Sequence, residues 1–144
     1  MFGSKKQPAI RSLIGEGTRI EGTLRFSDGL RIDGEIVGDV IASAETGSIL
    51  VISEKATITG TVRASHVIIN GSVIGPVEST QLLELQPKAH ILGDVRYVSL
   101  EMHQGATIEG VLHKLGGAGD VSVVTPLSVT NDDKPALKLA MSKD

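Results

Sequence analysis

Ala56-Thr-Ile-Thr-Gly-Thr-Val-Arg63 occurs once as written and three more times in variation: Thr18-Arg-Ile-Glu-Gly-Thr-Leu-Arg25, Ala89-His-Ile-Leu-Gly-Asp-Val-Arg96 and Ala106-Thr-Ile-Glu-Gly-Val-Leu-His113. The four copies begin 38, 33 and 17 residues apart, close to multiples of one unit of about 17 to 19 residues. A doubled form, Leu30-Arg-Ile-Asp-Gly-Glu-Ile-Val-Gly-Asp-Val40, returns 37 residues later as Val67-Ile-Ile-Asn-Gly-Ser-Val-Ile-Gly-Pro-Val77 and fills the gaps between the single copies. The shared unit is Ile/Val-x-Gly-x-Val/Leu/Ile. In an extended chain, positions i, i+2 and i+4 point to one side. Ile20, Gly22 and Leu24 therefore look inward, as do Ile58, Gly60 and Val62, Ile69, Gly71 and Val73, and Ile91, Gly93 and Val95. Glu21, Thr23, Thr59, Thr61, Asn70 and Ser72 take the alternate, wet positions. A glycine at an inward position marks a corner, where the backbone bends so close to the axis that a side chain does not fit.

Strands this short cannot close a core alone, and stacking coil on coil is how they bury an apolar side. The expected fold is all-β: a single right-handed parallel β-helix of about six coils over residues 13–115. At about 4.8 Å per coil it makes a rod roughly 25 to 30 Å long. A helix is excluded by the period of two and by internal glycines that would each cost about 1 kcal/mol. Composition agrees. Hydrophobic residues make up 40% but aromatics only 2%, so the core is Val, Ile and Leu, residues that favour strands. A left-handed hexapeptide solenoid needs a register of six. The core glycines at 22, 34, 38, 60, 71, 75, 93 and 110 are separated by 12, 4, 22, 11, 4, 18 and 17 residues and do not keep it.

Outside the repeats, residues 1–12 contain Pro8 and no alternation, and residues 116–144 open on Gly116-Gly-Ala-Gly119 and continue through Pro126 and Pro135. Both are expected to be flexible tails, with Val121–Val124 as a possible added edge strand. Charge divides along the same lines: residues 1–12 carry +3 (Lys5, Lys6 and Arg11), residues 13–115 carry −5 and residues 116–144 carry −1. A mildly acidic body almost without aromatics lacks the basic groove and stacking platform that nucleic acid requires. No Gly-x-x-x-x-Gly-Lys-Ser/Thr loop is present to hold a nucleotide. With no cysteine, disulfide and thiolate chemistry are unavailable, which suits a reducing compartment. No apolar run resembles a secretory signal or a membrane-spanning helix, so a cytoplasmic location is expected.

A solenoid has two open ends, each presenting unpaired backbone and apolar residues. Leu13, Ile14, Ile20 and Leu24 are expected near one end and Met102, Ile108, Leu112 and Leu115 near the other, with no helix-like cap at either. Two outcomes follow from the sequence: the ends join copy to copy into a filament, or the tails fold over them. Catalysis has little to stand on. His66, His90, His103 and His113 match no local ligand spacing, and Asp132 and Asp133 lie in a tail where they solvate. No cofactor, metal or catalytic residue is therefore expected. The rivals are a solenoid enzyme, an acyltransferase or a zinc-dependent hydratase, and a passive binding module.

The coils at 13–115, the doubled Ile-Asp-Gly-Glu-Ile-Val-Gly-Asp-Val at 32–40 and the short tails resemble the bactofilin family of bacterial cytoskeletal proteins. Met1-Phe2-Gly3-Ser4-Lys5-Lys6 is similar to the Phe-plus-Lys start of many members, with Gly3 as an added residue. The resemblance implies nucleotide-independent, non-polar filaments joined end to end, lying on the inner face of the cytoplasmic membrane. There they would organise cell-shape and cell-wall proteins, with Phe2, Lys5 and Lys6 as the membrane contact.

Overall fold

The computed structural model describes residues 10–43 and 47–115, and every regular element in them is a strand. Six coils stack with parallel pairing, each contributing one strand to each of three walls. The first wall holds β1 (Ile10–Ile14), β4 (Gly29–Ile32), β7 (Ile49–Ile52), the later part of β9 (Val62–Ile69), the later part of β11 (Val77–Leu85) and β14 (Ser99–Met102). The second is a continuous six-stranded sheet of β2 (Arg19–Glu21), β5 (Glu35–Val37), β8 (Thr57–Thr59), β10 (Ser72–Ile74), β12 (His90–Leu92) and β15 (Thr107–Glu109). The third holds β3 (Leu24–Phe26), β6 (Val40–Ala42), the opening parts of β9 and β11, β13 (Val95–Tyr97) and β16 (Leu112–Lys114). In β9 and β11 the chain passes from third wall to first without breaking strand, which fuses the two walls in the middle of the rod.

Alternation within each strand sorts the residues. Ile32, Ile36, Val40, Ile52, Ile58, Val62, Ile69, Val73, Val77 and Ile91 are fully buried. Each such side chain is worth about 1.5 to 3 kcal/mol by area removed from water. Vertical register stacks like on like: Ile36 sits over Ile58, Val73 over Ile91 and Val40 over Val62. The recurrence of the layers from coil to coil explains why β-branched residues dominate, since their stiff side chains fit identical places one coil above another.

The expected repeat length of 17 to 19 conceals three different corners. Between second and third wall the connection is two residues in every coil: Gly22-Thr23, Gly38-Asp39, Gly60-Thr61, Gly75-Pro76, Gly93-Asp94 and Gly110-Val111. Between first and second wall it is a short form around Gly34 and Gly71 or a longer turn, as at Ser53–Ala56 and Gln86–Ala89, closed by an N–H from the alanine to the carbonyl three residues earlier. Those alanines, Ala56, Ala89 and Ala106, are buried under the bend. Connections from third wall to first take up the remaining variation in length.

This corrects the reading of the glycines. Gly60 and Gly71 belong to different corners although both sit in Ile-x-Gly-x-Val, and the crowding they answer lies along the stack and not toward the axis. A Cβ on Gly38, Gly60, Gly75, Gly93 or Gly110 would stand 2.0 to 2.5 Å from the carbonyl oxygen of the glycine one coil earlier. At Gly71 it would meet the Ser53 carbonyl oxygen at 2.2 Å. Backbone passes so close over backbone that no side chain fits, and at Gly38, Gly60, Gly75 and Gly93 φ also lies between +143 and +150, a region that L-residues rarely adopt.

Where the third wall turns into the first, polar groups replace glycine. Ser48 and Ser65 are buried one above the other with their hydroxyls 3.0 Å apart. The Ser65 hydroxyl donates to the Ser48 carbonyl at 2.6 Å and accepts from the Ser48 N–H at 2.9 Å, and the Ser79 hydroxyl donates to the Ser65 carbonyl at 2.8 Å. Asp39 and Asp94 do similar service outside the core, accepting the N–H of Thr61 at 3.0 Å and of Val111 at 3.1 Å from the next coil. Buried backbone groups without such partners would cost stability.

Candidate functional site

The two ends of the rod carry the features expected of an assembly surface. At the N-terminal end β1, β2 and β3 pair only with the coil above, and at the C-terminal end β14, β15 and β16 pair only with the coil below. Among the described residues, each end therefore offers three parallel strand edges with unpaired backbone. The core columns also run out there among the described residues. Ile36, Ile58, Val73 and Ile91 are wholly covered, whereas Ile20 and Ile108 at the ends of the same column are only partly so. In the third wall Val95 is fully buried and Leu112, next above it, is 41% exposed.

Ile14, Ile20 and Leu24 lie on the inward side of the first coil, and Met102, Ile108 and Leu112 on that of the last. Leu115 follows β16, half-buried, with its N–H on the Tyr97 carbonyl. Leu13 lies in the same first coil but faces outward: it stands in register with Arg31 on the outer side of the first wall and is 62% exposed. The inward members of β1 are Ser12 and Ile14, because the strand begins at Ile10 and its pleat places Ser12 with Leu30 and Ile14 with Ile32. That start also places residues 10–12, expected in the N-terminal tail, within the first wall.

Phe26 and Leu100 also belong to the two end layers, and Lys114, in register with the buried Tyr97, brings a charge to the inward side of the last. Phe26, 8% exposed, lies in register with the small Ala42, so the ring has room beside its neighbouring coil. Leu100 shares the inward side of β14 with Met102. Both positions follow the i, i+2 rule from Leu24 and Met102, which is the signal that identifies them. Phe2, Lys5 and Lys6, the expected membrane contact, lie outside the described residues, as do Val121–Val124 and Asp132 and Asp133. No helix among the described residues is long and apolar enough to cross a membrane.

The sides of the rod are ionic and mostly neutralised. Arg31 meets Asp33 at 3.1 Å, Lys88 meets Glu54 at 3.0 Å, Arg63 meets Glu78 at 3.4 Å and Lys55 meets Glu16 at 3.6 Å. A hydrogen bond from Arg31 holds the Asp33 carboxyl below the ordinary aspartate range, and Lys88 does the same for Glu54. A shallow depression of about 590 Å³ over Val51 and Ile68 is rimmed by several of these pairs. The histidines are scattered. His90 Nδ1 is paired with the Thr107 hydroxyl at 2.5 Å, His103 lies beside Glu84, and His66 is half-buried in register with Ile49 and Leu82.

Comparison with known proteins agrees with this geometry. The family profile described as "Bactofilin: Polymer-forming cytoskeletal" matches residues 12–113, the whole of the coiled region but its first and last strand ends. Bactofilin BacP of Myxococcus xanthus (strain DK1622) is 23% identical over 99 residues, a stretch that covers 69% of this chain and 40% of that protein. The chain thus spans well under half the length of the curated relative it matches. No solved structure matches. Six stacked parallel coils and a profile match over most of the chain lead to one assignment: the chain belongs to the bactofilin family of polymer-forming cytoskeletal proteins.

Proposed function

We propose that this chain is a scaffold subunit that polymerises without nucleotide by laying its bare end layers against those of other copies. The observation that carries the proposal is the contrast along the second-wall column, where Ile36, Ile58, Val73 and Ile91 are fully covered and Ile20 and Ile108 at the two extremities only partly so. A layer containing Leu100, Met102, Ile108 and Leu112 is apolar enough to be driven from water by a matching layer. The three strand edges around it supply directional hydrogen bonds. Like-to-like joints, with two-fold symmetry at each, give a filament without polarity.

The finer part of the proposal concerns place. Phe2 entering a lipid interface would contribute about 1.5 to 3 kcal/mol, and Lys5 and Lys6 about 1 kcal/mol each near anionic lipid. One copy binds weakly on those terms, but a filament presents many copies together, so membrane attachment follows assembly through avidity. Held on the inner face of the cytoplasmic membrane, such a filament would gather cell-wall and cell-shape proteins.

Negative-stain microscopy and sedimentation of the purified chain without nucleotide test the assembly. Filaments are expected from the native sequence, and Leu112→Arg, which places an unpaired charge in the end layer, is expected to shift the protein to small species. Filaments of normal length from Leu112→Arg would remove that end from the contact. For the membrane arm, deletion of residues 2–6 should leave polymers intact yet release them from anionic vesicles in co-sedimentation. Unchanged vesicle binding would refute it.

A further inference from the structure

Two carboxylates face each other across the last pair of coils, on the outer side of the first wall. Glu84 of β11 and Glu101 of β14 are register partners, and they form the one acidic-with-acidic pair in register among the described strands. Like charges directly opposite destabilise a sheet. Several other carboxylates of the rod pair with an arginine or lysine, but among the described residues none pairs with either of these two. The third group present is His103, whose Nε2 stands 3.4 Å from Glu84 Oε2. One ligand atom from each of the three side chains lies within 4.8 Å of the other two.

We propose that Glu84, Glu101 and His103 form a binding site for a divalent cation of the zinc and cobalt(II) class. Two carboxylate oxygens and one imidazole nitrogen suit such ions, and three protein ligands leave further positions for water. Metal–ligand bonds of about 2.0 to 2.2 Å in a tetrahedral set put neighbouring donors about 3.3 Å apart, so His103 Nε2 and Glu84 Oε2 already stand at ligand spacing. Gln86 steadies the carboxylate from the next register position, its Nε2 3.4 Å from Glu84 Oε2, in the manner of groups that orient metal ligands. A bound ion converts the repulsion across this rung into a tie between the fifth coil and the sixth. The site escapes sequence motifs because Glu84 and Glu101 are one coil apart, and only stacking brings them together.

The test uses the full chain without an affinity tag. Cobalt(II) is titrated while its visible absorption is followed, and zinc is then added in competition. One saturable site per chain is expected, with Glu101→Gln and His103→Ala each weakening it by about tenfold or more and His90→Ala, at an exposed histidine outside the cluster, leaving it unchanged. Far-UV circular dichroism confirms that the variants keep their strands. Zinc should also raise the thermal midpoint of the native chain and not that of Glu101→Gln, since a ligand that binds only the folded state stabilises it. Absence of saturable binding, or binding indifferent to Glu101→Gln and His103→Ala, would overturn the site.

Discussion

Replacing Gly60 with alanine isolates what holds adjacent coils at their spacing. The new Cβ would stand 2.1 Å from the Gly38 carbonyl oxygen where real contacts are not under 3.0 Å, a shortfall of about 0.9 Å. Opening the corner by that distance would lengthen the flanking bonds, Gly38 N–H to Thr59 carbonyl and Val40 N–H to Thr61 carbonyl, both now 2.8 Å, beyond hydrogen-bonding range. Two lost bonds cost about 1 kcal/mol each, and holding alanine at φ near +150 adds about 1 to 3 kcal/mol. The expected destabilisation is about 3 to 5 kcal/mol, a large share of the roughly 5 to 15 kcal/mol that holds a domain. Gly22→Ala is the control. Its φ of +120 carries the backbone strain, but its Cβ meets nothing within 4 Å because no coil lies beneath it among the described residues, so about 1 to 3 kcal/mol is expected. Urea unfolding followed by circular dichroism at matched protein concentration compares the two. If Gly60→Ala lost no more stability than Gly22→Ala, crowding between stacked glycines would not be what sets the corner.

Ser65→Ala should cost about 1 to 3 kcal/mol in the same assay, because it leaves the Ser48 N–H buried without its acceptor; a neutral result would deny the serine stack a structural role. Ile58→Ala, in a fully covered layer, should lose about 2 to 5 kcal/mol of unfolding free energy. Ile108→Ala, in the open terminal layer, should lose clearly less in unfolding and more in sedimentation of the polymer, and equal unfolding losses would show that the terminal layer is already covered. Asp33, whose pKa is depressed chiefly by Arg31, stabilises the fold fully above the ordinary aspartate value near about 3.9, and that contribution fades as pH falls through its lower folded value. The stability difference between the native chain and Arg31→Ala should therefore shrink between pH 7 and pH 3, measured by urea unfolding at each pH; a constant difference would mean the pair is not the cause.

Much of this molecule can be read in its alternation. Ile20, Ile36, Ile58, Val73, Ile91 and Ile108 form one column because a period of two and a recurring glycine leave few other arrangements. What escaped the sequence depends on depth along the stack. Gly60 and Gly71 carry the same local pattern, and only the coil beneath each decides which corner it serves. Leu13 looks like a core residue until the register of β1 on β4 turns it outward beside Arg31. Glu84, Glu101 and His103 are ordinary surface residues in the linear chain, and coil length alone makes them neighbours. Spacing along the backbone reports faces well and reports vertical partners poorly, since the third corner changes length from coil to coil.

In all three walls the hydrogen bonds between coils lie along the long axis, so tension on the rod loads the bonds of one junction side by side and successive junctions one after another. Inside the subunit each junction is also spanned by covalent chain, and in the middle by the unbroken strands β9 and β11. Between two copies only non-covalent contact bridges the gap. In the proposed end-to-end filament, load would part the joints before the subunits unravel, and the joints would re-form once the load is gone.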